Sequence, residues 1–183
     1  MLNRVFALIL IILFSPILIF VAIVILVEDG FPILFTQKRV GINYTFFKIY
    51  KFRSMKKNTP NVATHLLTNP DQYLLKIGKF IRKTSLDELP NLINIMKGEM
   101  VFVGPRPALY NQDDLMALRV TTGVDTLKPG ITGWAQINGR DEISIEAKVA
   151  LEQEYLQRKS FFFDMTIMIK TFTNVLFSKG VSH

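Results

Sequence analysis

TSLDELPNLINIMKGEMVFVGPRP, residues 84–107, holds most of what the chain says about itself. Ser85 and Glu88 have the spacing of a capping box, so a helix is expected to start there, and Lys97-Gly98 reads as its stop. Leu89, Leu92, Ile93 and Met96 fall on its apolar face. Two adjacent carboxylates, Asp87 and Glu88, open this otherwise apolar helix. Charge placement against the helix dipole would account for them at about 0.3–1 kcal/mol each. Their neighbours argue for more. Pro90 removes a donor in the first turn and sets the backbone there. Arg82 precedes the acids, and a short apolar strand, MVFV, leads into Gly104-Pro105-Arg106-Pro107. A residue before proline is held extended, so Arg106 is a forked donor on a rigid mount, suited to phosphate oxygens.

Upstream, FPILFTQKRVGINYTFFKIYKFRSM (residues 31–55) reads as two short strands around a turn at Gly41-Ile42-Asn43. Lys48, Tyr50 and Phe52 share one face of the second strand, and Ile49, Lys51 and Arg53 share the other. Neither face is cleanly apolar, and Lys51 or Arg53 is expected to face lipid. Residues 57–72 are rich in turn formers and read as a mobile loop, and helical patterning returns over 73–83.

Downstream, LKPGITGWAQINGR (residues 127–140) offers Pro129-Gly130 for a type II turn and Asn138-Gly139 for a hairpin turn. A β-hairpin plugged by Trp134 is expected, with Lys128 and Arg140 as further cationic donors. Residues 142–159 and 161–177 are helical in period. The second of these serves as core and as a helix lying at a membrane interface.

The chain has 183 residues, 49% of them hydrophobic, and a mean hydropathy of +0.27. The excess is at the N-terminus: from Val5 to Val27 there is no charge. About 20 apolar residues is what a bilayer core of about 30 Å asks of a helix. Ser15-Pro16 falls near its middle and predicts a bend. Each half is then about 11 to 14 residues, or roughly 17–21 Å, too short to cross alone. Both a kinked single span and a re-entrant hairpin follow. Positive charge on both flanks favours the hairpin without deciding it.

Cysteine is absent and the histidines are His65 and His183, which argues against disulfides, thiolate catalysis and His/Cys zinc sites. A metal here would be a hard cation on oxygen ligands. The net charge is +7, and from Gly30 to Leu86 eleven Lys or Arg face a single acid, Asp71. A basic stretch of this kind suits anionic headgroups or a phosphorylated substrate. Nucleic acid is not expected, since no binding motif is recognised.

FTQKRVG (35–41), KIYKFRSM (48–55), RKTSLDELPNLINIMKGEMVFVGPRP (82–107) and KPGITGWAQINGR (128–140) together resemble the bacterial sugar transferases. More narrowly, they resemble the small monotopic phosphoglycosyl transferases. The resemblance implies an α+β fold: a re-entrant membrane helix, residues 1–27, kinked at Ser15-Pro16, then a mixed catalytic domain with interfacial helices, residues 28–183. It implies transfer of a sugar phosphate from a UDP-sugar to polyprenol (undecaprenyl) phosphate, with UMP released. This would be the first membrane step of glycoconjugate assembly, on the cytoplasmic face of the bacterial inner membrane. It implies magnesium held by Asp87 and Glu88, and Asp87 as the nucleophile forming an aspartyl phosphosugar. Arg82, Arg106, Lys128 and Arg140 would bind substrate phosphates, and the helix start would keep Asp87 ionised. Homodimerisation stays open, as does the identity of the sugar. Members commonly begin with a basic pair and an aspartate, where this chain has MLNRVF with Asn3 near the place of the acid. Two rival readings use the same residues: a magnesium-dependent phosphatase or pyrophosphatase at the membrane, and a non-enzymatic lipid-binding module.

Overall fold

The computed structural model describes residues 1–60, 69–139 and 143–176. Helix α1 (Leu2–Asp29) is long and apolar enough to cross a membrane, by length and composition. Pro16 lies inside it, and the carbonyl of Ile12, which a proline cannot serve, accepts the Ser15 hydroxyl at 2.7 Å. Ala7, Val21 and Ile25 are buried against the rest of the chain, while Ile12, Leu13, Phe20, Ile23 and Val27 are exposed. Both ends are tied to the same body. Arg4 donates to the carbonyl of Lys97 at 3.4 Å. At the other end the Glu28 carboxylate accepts the backbone N–H groups of Lys76 and Ile77, and Asp29 accepts Arg53.

Strands β1 (Leu34–Val40) and β2 (Phe46–Phe52) pair antiparallel, from Leu34 opposite Phe52 to Val40 opposite Phe46. The expected turn between them is a 3-10 turn, Ile42–Tyr44. Phe47 and Ile49 pack with Ala7 of α1, and Phe52 packs on the other side with Val21 and Ile25. Helix α2 (Gly78–Lys83) takes only the second half of the stretch expected to be helical. Leu74 bridges to Met55 and the Leu75 N–H reaches the Ser54 carbonyl at 3.0 Å, which holds this segment extended. Gly78 follows, where a Cβ would run into that same carbonyl. Of the loop expected over 57–72, residues 61–68 lie outside the described residues.

The acids do not open a capped α-helix. Ser85 sits in the left-handed region (φ 56°) and its hydroxyl caps nothing; Glu88 is held instead by its backbone N–H to the Ser85 carbonyl at 3.1 Å. Leu86–Asn91 winds as a 3-10 helix, and only then does α3 (Leu92–Lys97) begin, ending at Gly98 with φ 81°. The tighter winding shifts the helical phase. Ile95 is therefore buried where Ile93 was expected, and Ile93 is exposed. Asn94 locks α3 to β2: its Oδ1 accepts the Tyr50 N–H at 3.2 Å and its Nδ2 donates to the Lys48 carbonyl and to Glu99, each at 2.7 Å.

Strand β3 (Val101–Val103) forms as expected, but its partner is β4 (Gly130–Thr132), in parallel. Helix α4 (Asp113–Thr122) supplies the crossover. The hairpin expected over 127–140 is not there. Gly130 lacks the positive φ of a type II turn and is needed for close approach, since a Cβ on it would meet the backbone of Gly104. Trp134 starts a short helix, α5 (Trp134–Asn138). Its indole donates to Glu154 at 2.8 Å, and its ring lies 5.0 Å from that of Phe163. Helices α6 (Ile145–Arg158) and α7 (Phe161–Leu176) close the structure. Tyr155 joins them to β3, donating to Asp164 at 2.7 Å and lying 3.1 Å from the Val103 carbonyl. Burial and Asp164 push its phenol above the usual range. Phe163 and Ile167 face this core, while Phe161, Phe162, Ile169 and Phe172 of α7 are exposed.

Candidate active site

Glu88 is where the separate elements meet. Lys51, projecting from the same face of β2 as Phe47 and Ile49, donates to Glu88 Oε1 at 2.6 Å. Arg106, from the loop after β3, places Nη2 3.6 Å from the same oxygen. A small cavity opens between them, walled by Arg39, Lys51, Glu88, Asn91 and Arg106, with Met100 and Ile131 among its apolar lining.

The mount of Arg106 is rigid because its backbone carbonyls are engaged in succession. Pro105 O accepts the Gly130 N–H at 2.9 Å, and Arg106 O accepts Arg119 Nη2 at 3.0 Å. Pro107 O accepts Arg39 Nη1 at 3.1 Å, and Ala108 O accepts the Val40 N–H at 3.0 Å. Arg119 is itself buried in a two-pronged pair with Glu152, at 2.8 and 2.5 Å. The Arg106 side chain is 42% exposed and is presented beside Glu88 from a fixed base.

Asp87, next to Glu88 on the 3-10 helix, lies in the field of Arg82 and Lys51. Arg82 is oriented by donating from Nε to the Ser54 hydroxyl at 2.9 Å. The helix start does not keep Asp87 at an ordinary carboxylate pKa. Desolvation and the neighbouring Glu88 push it up to about 6, and the pull of Lys51, Arg82 and its own backbone N–H only partly opposes them.

Not every expected residue reaches this place. Lys128 is exposed and donates to the Gly98 carbonyl at 2.8 Å, at the far end of α3 beside Arg4. Arg140 lies outside the described residues. Arg53 does not face lipid: it is 6% exposed and donates to the carbonyls of Asp29, Gly30 and Pro32. Lys51, the other candidate for lipid, belongs to the site. The alternation of β2 put it on the side of Ile49, which was the available signal. Arg39 and Asn91 had no signal of comparable strength.

The chain matches the family described as bacterial sugar transferase over residues 1–178. It belongs to that family. Its relatives include the uncharacterized sugar transferase EpsL of Bacillus subtilis strain 168, 42% identical over 91% of this chain and 81% of that protein. The UDP-glucose:undecaprenyl-phosphate glucose-1-phosphate transferase of Escherichia coli K12 is 37% identical over 92% of this chain but only 38% of its own length. The undecaprenyl-phosphate galactose phosphotransferase of Salmonella typhimurium is 36% identical over 84% and 35%, respectively. The bacterial sugar transferase unit therefore spans most of the first relative and little more than a third of the other two.

The donor chemistry at Asp87 and Glu88 fits a hard divalent cation. Burial first and the neighbouring Glu88 second raise the pKa of Asp87, and a cation held by the two carboxylates would oppose both.

Proposed function

We propose that this chain transfers a sugar phosphate from a UDP-sugar to polyprenol phosphate, giving a polyprenol-diphosphate sugar and UMP. The observation that carries the reading is the carboxylate pair set against convergent cations: Asp87 beside Arg82 and Lys51, and Glu88 held by Lys51 with Arg106 above it. Membership of the family and the printed activities of its relatives from Escherichia coli and Salmonella typhimurium support the same direction.

An Asp87 carboxylate oxygen attacks the β-phosphorus of the donor. A P–O bond forms, the bond to UMP breaks, and UMP leaves with that electron pair. An oxygen of polyprenol phosphate then attacks the same phosphorus, and Asp87 departs as a carboxylate. Arg106 and Arg82 hold the phosphoryl oxygens and offset the charge that builds up between two anions. Asp87 and Glu88 would hold magnesium, which supplies charge neutralisation of the diphosphate. Raising the Asp87 pKa keeps the carboxylate basic, and so nucleophilic, near neutral pH.

On this reading α1 is a re-entrant helix that enters the bilayer and turns back near Ser15-Pro16, and the exposed aromatic face of α7 lies at the headgroups. Two features support this arrangement: Arg4 and Asp29, at opposite ends of α1, are tied to one domain, and the outward residues of α1 are apolar. The site then works at the plane where a lipid phosphate presents its charge, on the cytoplasmic side of the inner membrane.

Intact-mass measurement after exposure to magnesium and a panel of UDP-sugars, without lipid acceptor, tests the reading. An adduct of one phosphosugar, with UMP released and both absent in Asp87→Asn, is expected. UMP release that requires polyprenol phosphate but never passes through an adduct would remove the covalent step. Release of inorganic phosphate or sugar phosphate to water would favour a hydrolase.

A further inference from the structure

Asn91 is 1% exposed and lies one 3-10 turn beyond Glu88. At three residues per turn, side chains three apart eclipse one another, and these two line the same cavity. There the Asn91 amide oxygen is buried and accepts no hydrogen bond. Asn94, three residues further on and equally buried, has both its oxygen and its nitrogen partnered. A buried acceptor without a donor is a standing cost to the fold, and it points to a partner that arrives with the ligand.

The chemistry of that partner is narrow. Arg39, Lys51 and Arg106 make the cavity a seat for phosphate oxygens. Phosphate brings acceptors and cannot serve an amide oxygen. Two ligand groups can serve it: a sugar hydroxyl, which donates a hydrogen bond, and the hard divalent cation that accompanies a diphosphate, which is bound through carboxylates, amide carbonyls and water. Among the described residues, no group of three or more His, Cys, Asp or Glu side chains gathers to hold a metal. A cation held by two carboxylates completes its coordination with phosphate, water or neutral protein oxygens, and Asn91 Oδ1 is the buried acceptor at hand.

We propose that Asn91 supplies, through Oδ1, a neutral oxygen ligand to the divalent cation held at Glu88. The assignment rests on the metal-dependent reading above. Coordination shared between Glu88 and Asn91 leaves an Asp87 oxygen for attack on phosphorus, so one carboxylate need not be ligand and nucleophile with the same atom.

The test is Mn2+ titration of the full chain in detergent micelles, followed by the electron paramagnetic resonance signal of free Mn2+. Asn91→Leu keeps the volume and removes the oxygen, and should weaken Mn2+ binding by about tenfold or more. Asn91→Asp keeps the shape, adds charge and should bind Mn2+ more tightly than wild type. A folded Asn91→Leu that binds Mn2+ as wild type does overturns the assignment, even if its affinity for UDP-sugar falls, because the oxygen would then serve a sugar hydroxyl. Should Asn91→Leu fail to fold, Asn91→Asp decides: tighter Mn2+ binding supports the assignment, and unchanged or weaker binding overturns it. Wild type that binds no Mn2+ with or without UDP-sugar is a separate result, and it overturns the metal-dependent reading together with this inference.

Discussion

Arg119 donates to the backbone carbonyl of Arg106 at 3.0 Å from inside a buried pair with Glu152. Two helices, α4 and α6, are thereby fastened to the loop that presents the exposed guanidinium. Removing one partner of a buried pair leaves the other charge uncompensated, at about 3–5 kcal/mol. Arg119→Leu should lower the denaturation midpoint severely, and Arg119→Leu with Glu152→Leu should recover most of it. The double variant should still transfer slowly, because Arg106 has lost its anchor. Thermal melts and UMP release read the two effects separately, and full activity in the double variant would show that the anchor is dispensable.

Asp87 gives a dependence on pH whose sign can be worked out. Its pKa is raised in the folded protein, to about 6 from 3.8. The folded state therefore prefers the protonated carboxyl. Ionisation costs stability, a cost absent below about pH 4, where both states are protonated, and complete above about pH 6. Asp87→Asn should accordingly stabilise the metal-free protein at pH 7.5, by about 3 kcal/mol, with the gain fading toward pH 4. Melting curves across that range, with a chelator present, would show it; a gain that is flat with pH would contradict the assignment of the shift to this group.

Lys51 acts on both acids: its ammonium donates to Glu88 Oε1 at 2.6 Å, and its charge lowers the pKa of Asp87 against the larger upward push of burial and Glu88. Lys51→Met should cut the rate of UMP release by about 10²-fold or more while leaving the fold intact, since one preorganised charge at a phosphoryl site is commonly worth that much. Lys51→Arg should retain part of the activity. Equal rates for wild type and Lys51→Met would place this lysine outside the chemistry.

Gly78→Ala is predicted to be among the more damaging single-methyl changes. Its Cβ would collide with the Ser54 carbonyl, and Ser54 is the residue that orients Arg82. Overpacking of this kind costs about 1–3 kcal/mol. A lowered melting temperature together with a raised KM for UDP-sugar is expected, whereas a change in melting temperature alone would separate Ser54 from the site.

Much of this was legible in the residues. The apolar run, the strand pair around Gly41-Ile42-Asn43, the stop at Gly98 and the mount of Arg106 all follow from local chemistry, and the structure has them. Local chemistry failed where distant chain intervened. Ser85 and Glu88 make a capping box on paper, but Glu88 is claimed by Lys51 from another element, and the segment winds as a 3-10 helix instead. Pro129-Gly130 looks like a turn until Gly104 is brought against it. Lys128 was read as a phosphate donor from its position near a turn; its ammonium donates to the Gly98 carbonyl just past α3, a contact that only the placement of α3 reveals.

Helix α1 has one further consequence. Ala7, Val21 and Ile25 are members of the two apolar cores on either side of β2, so the segment is a wall of the catalytic body as well as its mooring. A foreign hydrophobic helix of equal length could hold such a body at a bilayer but could not close those cores. Detaching the segment to obtain a water-soluble enzyme would open both cores to solvent, and the fragment should collapse or aggregate. One helix thus carries two faces with separate duties: Ala7, Val21 and Ile25 close the cores, while Ile12, Leu13, Phe20, Ile23 and Val27 turn an apolar surface outward.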